Sequence, residues 1–202
     1  VLKKKWPLAP VDAARAAPES IANSVQTSGR MSFQLLVVPR HPQRFAEVAQ
    51  LFVDAGYSVS RRSQWGEAPE PADVWVGDSL GEMALYFGMA HVALLGGSFA
   101  PLGGQNLIEA AACGVPVFMG PHLFNFTEAS TLAAEAGAAQ RCEDIAQAVT
   151  EAAATAGDVA GLHGMQDAAL GLGAAHRGAA LKTATEVAAV VRRGAITAPA
   201  GC

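Results

Sequence analysis

Apolar positions along this chain fall into two alternating rhythms. Short unbroken apolar runs such as "FQLLVVP" (33–39), "DVWVGD" (73–78), "HVALLGG" (91–97) and "VPVFMG" (115–120) predict strands buried on both faces. "YSVSRRS" alternates apolar with polar residues and reads as a further strand, and "AAQRC" as a short one. Between these runs the apolar residues recur at helical spacing. In "PQRFAEVAQLFVDAGY", Phe45, Val48, Ala49, Leu51, Phe52 and Ala55 share one face, and Gly56 supplies the stop. "LGEMALYFGMA", "GQNLIEAAACG" and "FTEASTLAAEAG" predict helices in the same way, the second closed by Gly114. Residues 143–193 predict alanine-rich helix broken near Gly157, Gly164 and Gly171–Gly173. Residues 1–32 carry Pro7, Pro10 and Pro18 with no period. They read as linker or loop, with a short helix near 11–17, and 194–202 as a flexible tail.

Strands alternating with helices at this spacing predict an α/β domain over 33–193, a doubly wound parallel sheet of Rossmann-like type. No internal repeat is visible. In such folds ligands gather where loops leave the carboxyl ends of strands, and the glycine-rich and polar clusters of this chain fall after strands 33–39, 73–78, 91–96 and 115–119.

Composition narrows the function. Hydrophobic residues make up 51% of 202, enough for a substantial core, and a net charge of −4 argues against a nucleic-acid binder. Cys113, Cys142 and Cys202 have no metal-ligand spacing and read as reduced cytosolic thiols, with no metal site expected. No run of eighteen apolar residues and no signal peptide is present, so no membrane span is expected. The opening "VLKKKWPLAP" is a weak basic patch that reads better as a linker.

The rim clusters suggest specific chemistry. In "GGSFAPLGGQN", Gly96 and Gly97 allow close backbone approach, Ser98 offers a hydroxyl, and Gly103–Gly104 lead into a helix start that favours phosphate. Asn106 and Glu109 share one face there, where a carboxylate can accept from a ribose diol; helix capping and dipole pairing are the plainer roles. Arg40 and His41 end a strand, and the planar fork of Arg40 suits phosphate or carboxylate, while His41 before a proline has a structural alternative. Ser79 and Glu82 are spaced as a capping box, and Asn125 with Glu128 as another. Gly81 in a first helical turn is unfavourable and implies close approach to the backbone. No GxGxxG follows a strand, which disfavours a Rossmann oxidoreductase.

Taken together, "VVPRHPQRF", "GDSLGEMALYFGMAHVALLGGSFAPLGGQNLIEAAACGVPVFMGPHLFNFTE" and "HRGAALKT" resemble the 3-deoxy-D-manno-octulosonic acid (Kdo) transferases of lipopolysaccharide synthesis, over about Leu35 to Lys182. The resemblance implies the C-terminal, donor-binding half of a two-domain GT-B glycosyltransferase. That enzyme moves Kdo from CMP-Kdo to a lipid A precursor at the cytoplasmic face of the inner membrane, by inverting, metal-independent transfer without a cofactor. It implies that Pro39, Arg40 and His41 contact CMP, that Gly81, Glu82 and Met83 wrap the nucleotide, and that Asn106 and Glu109 hold the ribose side. Gly97 and Ser98 then sit by the phosphate, with Gln105 and Asn125 completing the pocket. Gln105 stands where the family usually has histidine, so it can donate a hydrogen bond but carry no charge. The family's general base, acceptor surface and membrane-associating patch belong to its N-terminal domain, which residues 1–32 do not supply, so no catalytic base is assigned. The rival expectations are a GT-B enzyme using a UDP-sugar and a non-catalytic nucleotide-binding domain of the same fold.

Overall fold

The computed structural model describes residues 33–176 and 179–196. Six short strands form two parallel ladders. The first joins β1 (Leu35–Val37), β3 (Val74–Val76) and β2 (Val59–Arg61) in the order β1-β3-β2. The second joins β4 (Ala93–Leu95), β5 (Val117–Met119) and β6 (Ala139–Arg141) in chain order. The registers pair Leu35 and Val59 with Val74, and Ala93 and Ala139 with Val117.

Each strand lies inside a run that its apolar pattern predicts, and the intervening helices cross over as parallel pairing requires. These are α1 (Phe45–Asp54), α2 (Met83–Met89), α3 (Ile108–Ala112), α4 (Thr127–Glu135) and α5 (Ile145–Gly157). Two further helices close the described chain, α6 (Val159–Ala175) and α7 (Ala179–Ile196). The expected irregular segment 1–32 lies outside the described residues; of the expected tail 194–202, residues 194–196 continue α7 as helix and the rest lie outside the described residues.

The central strand β5 shows why its apolar run has no polar alternation. Val117 and Met119 enter a core with Leu107, Ala110 and Ala111 of the α3 region, Ala133 of α4, and Ala169 and Leu172 of α6. Phe118 points the other way, into a second core with Cys142 and with Ala148 and Ala152 of α5. Both faces of this ladder are therefore covered, the arrangement of a doubly wound sheet. Burial also pushes the Cys142 thiol upward in pKa. In the first ladder, Val74 and Val76 pack with Ala49 and Phe52 of α1. Trp75 turns to the opposite face, where its ring meets Trp65 edge-on at 5.6 Å.

Two expected breaks do not occur. Gly164, Gly171 and Gly173 all lie inside α6, which runs unbroken; the described helical tail is interrupted at Gly157–Asp158 and again where α6 ends at Ala175. The reason at Gly173 is packing: a Cβ there would lie 2.7 Å from Ala112 Cα. Glycine lets α6 press its backbone against α3, and that contact outweighs its poor helix propensity.

Candidate functional site

The loops that leave the carboxyl ends of the strands, with the helix starts they lead into, carry the candidate site residues. Pro39, Arg40 and His41 follow β1. Pro39 is half-buried, while Arg40 and His41 are exposed. Arg40 has no carboxylate within ion-pair distance among the described residues. The His41 side chain caps nothing; its carbonyl instead accepts from the Arg44 amide at 2.9 Å. Arg44 is taken up by Glu47 at 2.8 Å.

The loop after β3 is held by a polar network. Buried Asp78 accepts from the Ser63 amide at 2.7 Å, from the Ser63 hydroxyl at 2.7 Å and from Arg61 Nε at 2.8 Å. Burial alone would raise its pKa, but the Ser63 hydrogen bonds and the Arg61 charge outweigh that penalty and lower it. Glu82 accepts from Arg62 Nη2 at 2.7 Å and from the Ser79 hydroxyl, which also meets the Tyr86 hydroxyl. The Ser79 bond first, then Arg62, hold the Glu82 carboxyl below its usual range against the opposing effect of burial. Glu82 is therefore tied into the protein while retaining unused acceptor capacity. The expected Ser79–Glu82 capping box does not form, because α2 begins only at Met83 and Glu82 itself occupies the cap position, its side chain bonding no amide of the helix start. Gly81 precedes the helix at φ +78°, with open space where a Cβ would stand. Its glycine answers a left-handed turn, not a close neighbour within the protein.

The loops after β4 and β5 are stitched together. Ser98 is fully buried; its hydroxyl donates to the Leu95 carbonyl at 2.5 Å and accepts from the Gly120 amide at 2.7 Å. The hydroxyl expected to face a ligand is thus spent internally, and Ser98 acts by fixing the backbone around it. The His122 amide donates to the Ser98 carbonyl at 3.0 Å, the Gly104 amide to the Gly97 carbonyl at 3.3 Å, and the Asn125 amide to the Gly103 carbonyl at 3.2 Å. Gly103 and Gly104 have φ of +85° and +80°, and a Cβ on Gly103 would overlap the Asn125 side chain. Half-buried Gln105 lies over Gly97, its amide carbon 3.5 Å from where a Cβ would sit. Asn125 consequently packs on the glycine turn instead of capping the next helix, whose cap position is Phe126.

Asn106 and Glu109 do meet. Asn106 Nδ2 donates to Glu109 Oε1 at 3.2 Å, and Asn106 Oδ1 accepts from the Ile108 amide at 3.0 Å. Both are exposed at the start of α3, leaving a carboxylate oxygen of Glu109 open to a ligand hydroxyl.

The pairs Arg61 with Asp78 and Arg62 with Glu82 escaped the sequence reading. The signal was available: "SRRS" ends a predicted strand, so both arginines emerge on the same edge as the glycine loops. Among the described residues no group of three His, Cys, Asp or Glu side chains could hold a metal ion, and no helix is long and apolar enough to cross a membrane.

A parallel α/β architecture with glycine turns and hydrogen-bonding side chains gathered on the strands' carboxyl edge is a Rossmann-like domain, built to take a ligand at that edge. No protein-family model matches the chain. A 3-deoxy-D-manno-octulosonic acid transferase of Bordetella pertussis is 49% identical over 150 residues, covering 74% of this chain and 35% of that protein. The corresponding Haemophilus influenzae enzyme is 44% identical over 94 residues, 46% of this chain and 22% of that one. The crystal structure of the C-terminal CMP-Kdo binding domain of WaaA from Acinetobacter baumannii superposes with a TM-score of 0.67 at 26% identity. That match covers 82% of this chain and 85% of that domain. The chain belongs to the 3-deoxy-D-manno-octulosonic acid transferase family and corresponds to its C-terminal domain. It spans about a third or less of the length of the curated relatives it matches.

Proposed function

We propose that this chain binds the CMP-Kdo donor for a glycosyltransferase that passes Kdo to a lipid A precursor at the cytoplasmic face of the inner membrane. The observation that carries the reading is the likeness, over most of both chains, to a domain described as binding CMP-Kdo. Arg40, without a carboxylate partner among the described residues, offers a planar fork to the nucleotide phosphate, beside Pro39 and His41. Gly81, Glu82 and Met83 wrap the nucleotide, with Glu82 held by Arg62 so that its remaining lone pairs face the ligand in one orientation. Asn106 orients Glu109 to accept from the ribose hydroxyls. Gly97, Gln105 and Asn125 shape the phosphate end, and Ser98 supports them from beneath.

In the transfer, the bond between the Kdo anomeric carbon and the CMP phosphate oxygen breaks as the acceptor hydroxyl oxygen attacks. Negative charge builds on the departing phosphate, where Arg40 and the loop amides stabilise it. The acceptor proton leaves to a base that we do not assign to this chain. Calorimetric titration tests the reading: CMP binds and UDP does not. Binding of UDP in preference to CMP overturns it.

A further inference from the structure

Beyond the nucleotide loops, a cleft of about 270 Å³ opens between the 121–127 loop and the end of β6. Arg141, the last residue of β6, lines it with His122, Phe124, Thr127 and Ser130. Arg141 Nη2 donates to the Ser130 hydroxyl at 3.0 Å and to the Thr131 hydroxyl at 3.3 Å. The Ser130 hydroxyl is fully buried and itself donates to the Thr127 carbonyl at 2.9 Å, so the clamp is rigid. No carboxylate lies within ion-pair distance of Arg141 among the described residues. Two neutral hydroxyls therefore hold the guanidinium by one nitrogen, and its Nε and Nη1 hydrogens have no acceptor within the described protein. That is an oriented and uncompensated cation facing a concavity.

The rest of the wall gives the ligand its character. The Phe124 ring is 64% exposed and offers an apolar face, and His122 and Thr127 add polar atoms along the same wall. A concave site with an apolar wall and a few convergent polar groups suits a small polar ligand with one strong anchor. We infer that this cleft is a second subsite, which takes a sugar bearing an oxyanion, either carboxylate or phosphate, with Arg141 as its anchor. It lies on the β6 side of the 121–126 loop, whereas Asn125 on that loop packs toward Gly103 and the nucleotide loops. The inference stands on Arg141 and its cleft and does not require the CMP reading.

Isotope-labelled protein titrated with Kdo, with glucose 6-phosphate and with neutral glucose, followed by amide and Arg Nε–H resonances, tests it. The expected result is that at least one acidic sugar shifts Arg141 Nε–H and the amides of His122 and Thr127, while glucose shifts none of them. The acid that binds tighter distinguishes carboxylate from phosphate as the source. Arg141→Gln should weaken that binding at least tenfold and leave CMP affinity unchanged. Phe124→Ala, at an exposed side chain, should weaken it severalfold, and it serves alone should Arg141→Gln fail to fold. Affinity unchanged in these variants, or glucose or inorganic phosphate bound as tightly as the acidic sugars, overturns the inference. Loss of CMP binding with acidic-sugar binding retained counts against the nucleotide reading only.

Discussion

The Gly120 amide donates to the Ser98 hydroxyl across 2.7 Å, joining the loop after β5 to the loop after its neighbour β4. Because that hydroxyl also donates to the Leu95 carbonyl, one side chain satisfies two buried backbone groups. Ser98→Ala leaves both without a partner, at a cost of about 1–3 kcal/mol for each unsatisfied group. The urea midpoint should fall accordingly, and CMP affinity should fall with it as the two loops lose their tie. An unchanged midpoint would show that water replaces the hydroxyl freely.

Acid should act through Asp78. Its folded pKa is lowered by Ser63 and Arg61 below the usual aspartate value of 3.8. A depressed carboxyl stabilises the fold fully above that usual value, and the contribution is lost as pH falls below 3.8 through the folded pKa. Asp78→Asn should therefore lower the urea midpoint at neutral pH and flatten its decline in that acid window. If the variant and the parent lose stability in parallel on acidification, the Asp78 cluster is not the group responsible.

Glu109 and Asn106 are exposed, so their loss should separate binding from folding. Glu109→Gln and Asn106→Ala should each change stability by no more than about 0.5 kcal/mol. Donor affinity should drop about tenfold or more, as expected when a hydrogen bond from a ligand hydroxyl to a charged group is removed. Calorimetry with CMP beside a thermal melt makes the comparison, and equal affinity in both variants removes them from the site.

Two glycines of α6 should answer alanine with opposite signs. At Gly173 the new methyl meets Ala112 backbone atoms at 2.7 and 2.8 Å, which cannot swing aside. Overpacking of that kind costs about 1–3 kcal/mol, more than the ~1 kcal/mol gained in helix propensity. Gly164 has open space where its Cβ would stand, so Gly164→Ala should stabilise by up to ~1 kcal/mol. Thermal denaturation of the two single variants distinguishes them.

The strands were legible because burial on both faces demands unbroken apolar runs, and β5 with Val117, Phe118 and Met119 is the clearest instance. The helix starts were less so. Ser79 with Glu82 and Asn125 with Glu128 have capping-box spacing, yet tertiary partners claimed those side chains: Arg62 and Tyr86 in one case, Gly103 in the other. Local spacing cannot reveal a competitor that is distant in sequence. The same limit hid the role of Ser98, whose partner Gly120 is 22 residues away. Gly173 misled for the converse reason, since a residue that weakens an isolated helix is the one that lets two helices touch. Arg141 gave only a positional clue, the end of the last strand.

The two ladders share no strand pair, and what spans them is apolar: Phe87 and Ala90, at the far end of the helix that follows Gly81–Met83, pack on the core of the second ladder. No strand pairing therefore fixes how far apart the two groups of loops stand. Greasy side chains such as Phe87 fill that seam, so exchanging one for a larger or smaller residue can retune grip on a ligand it never meets.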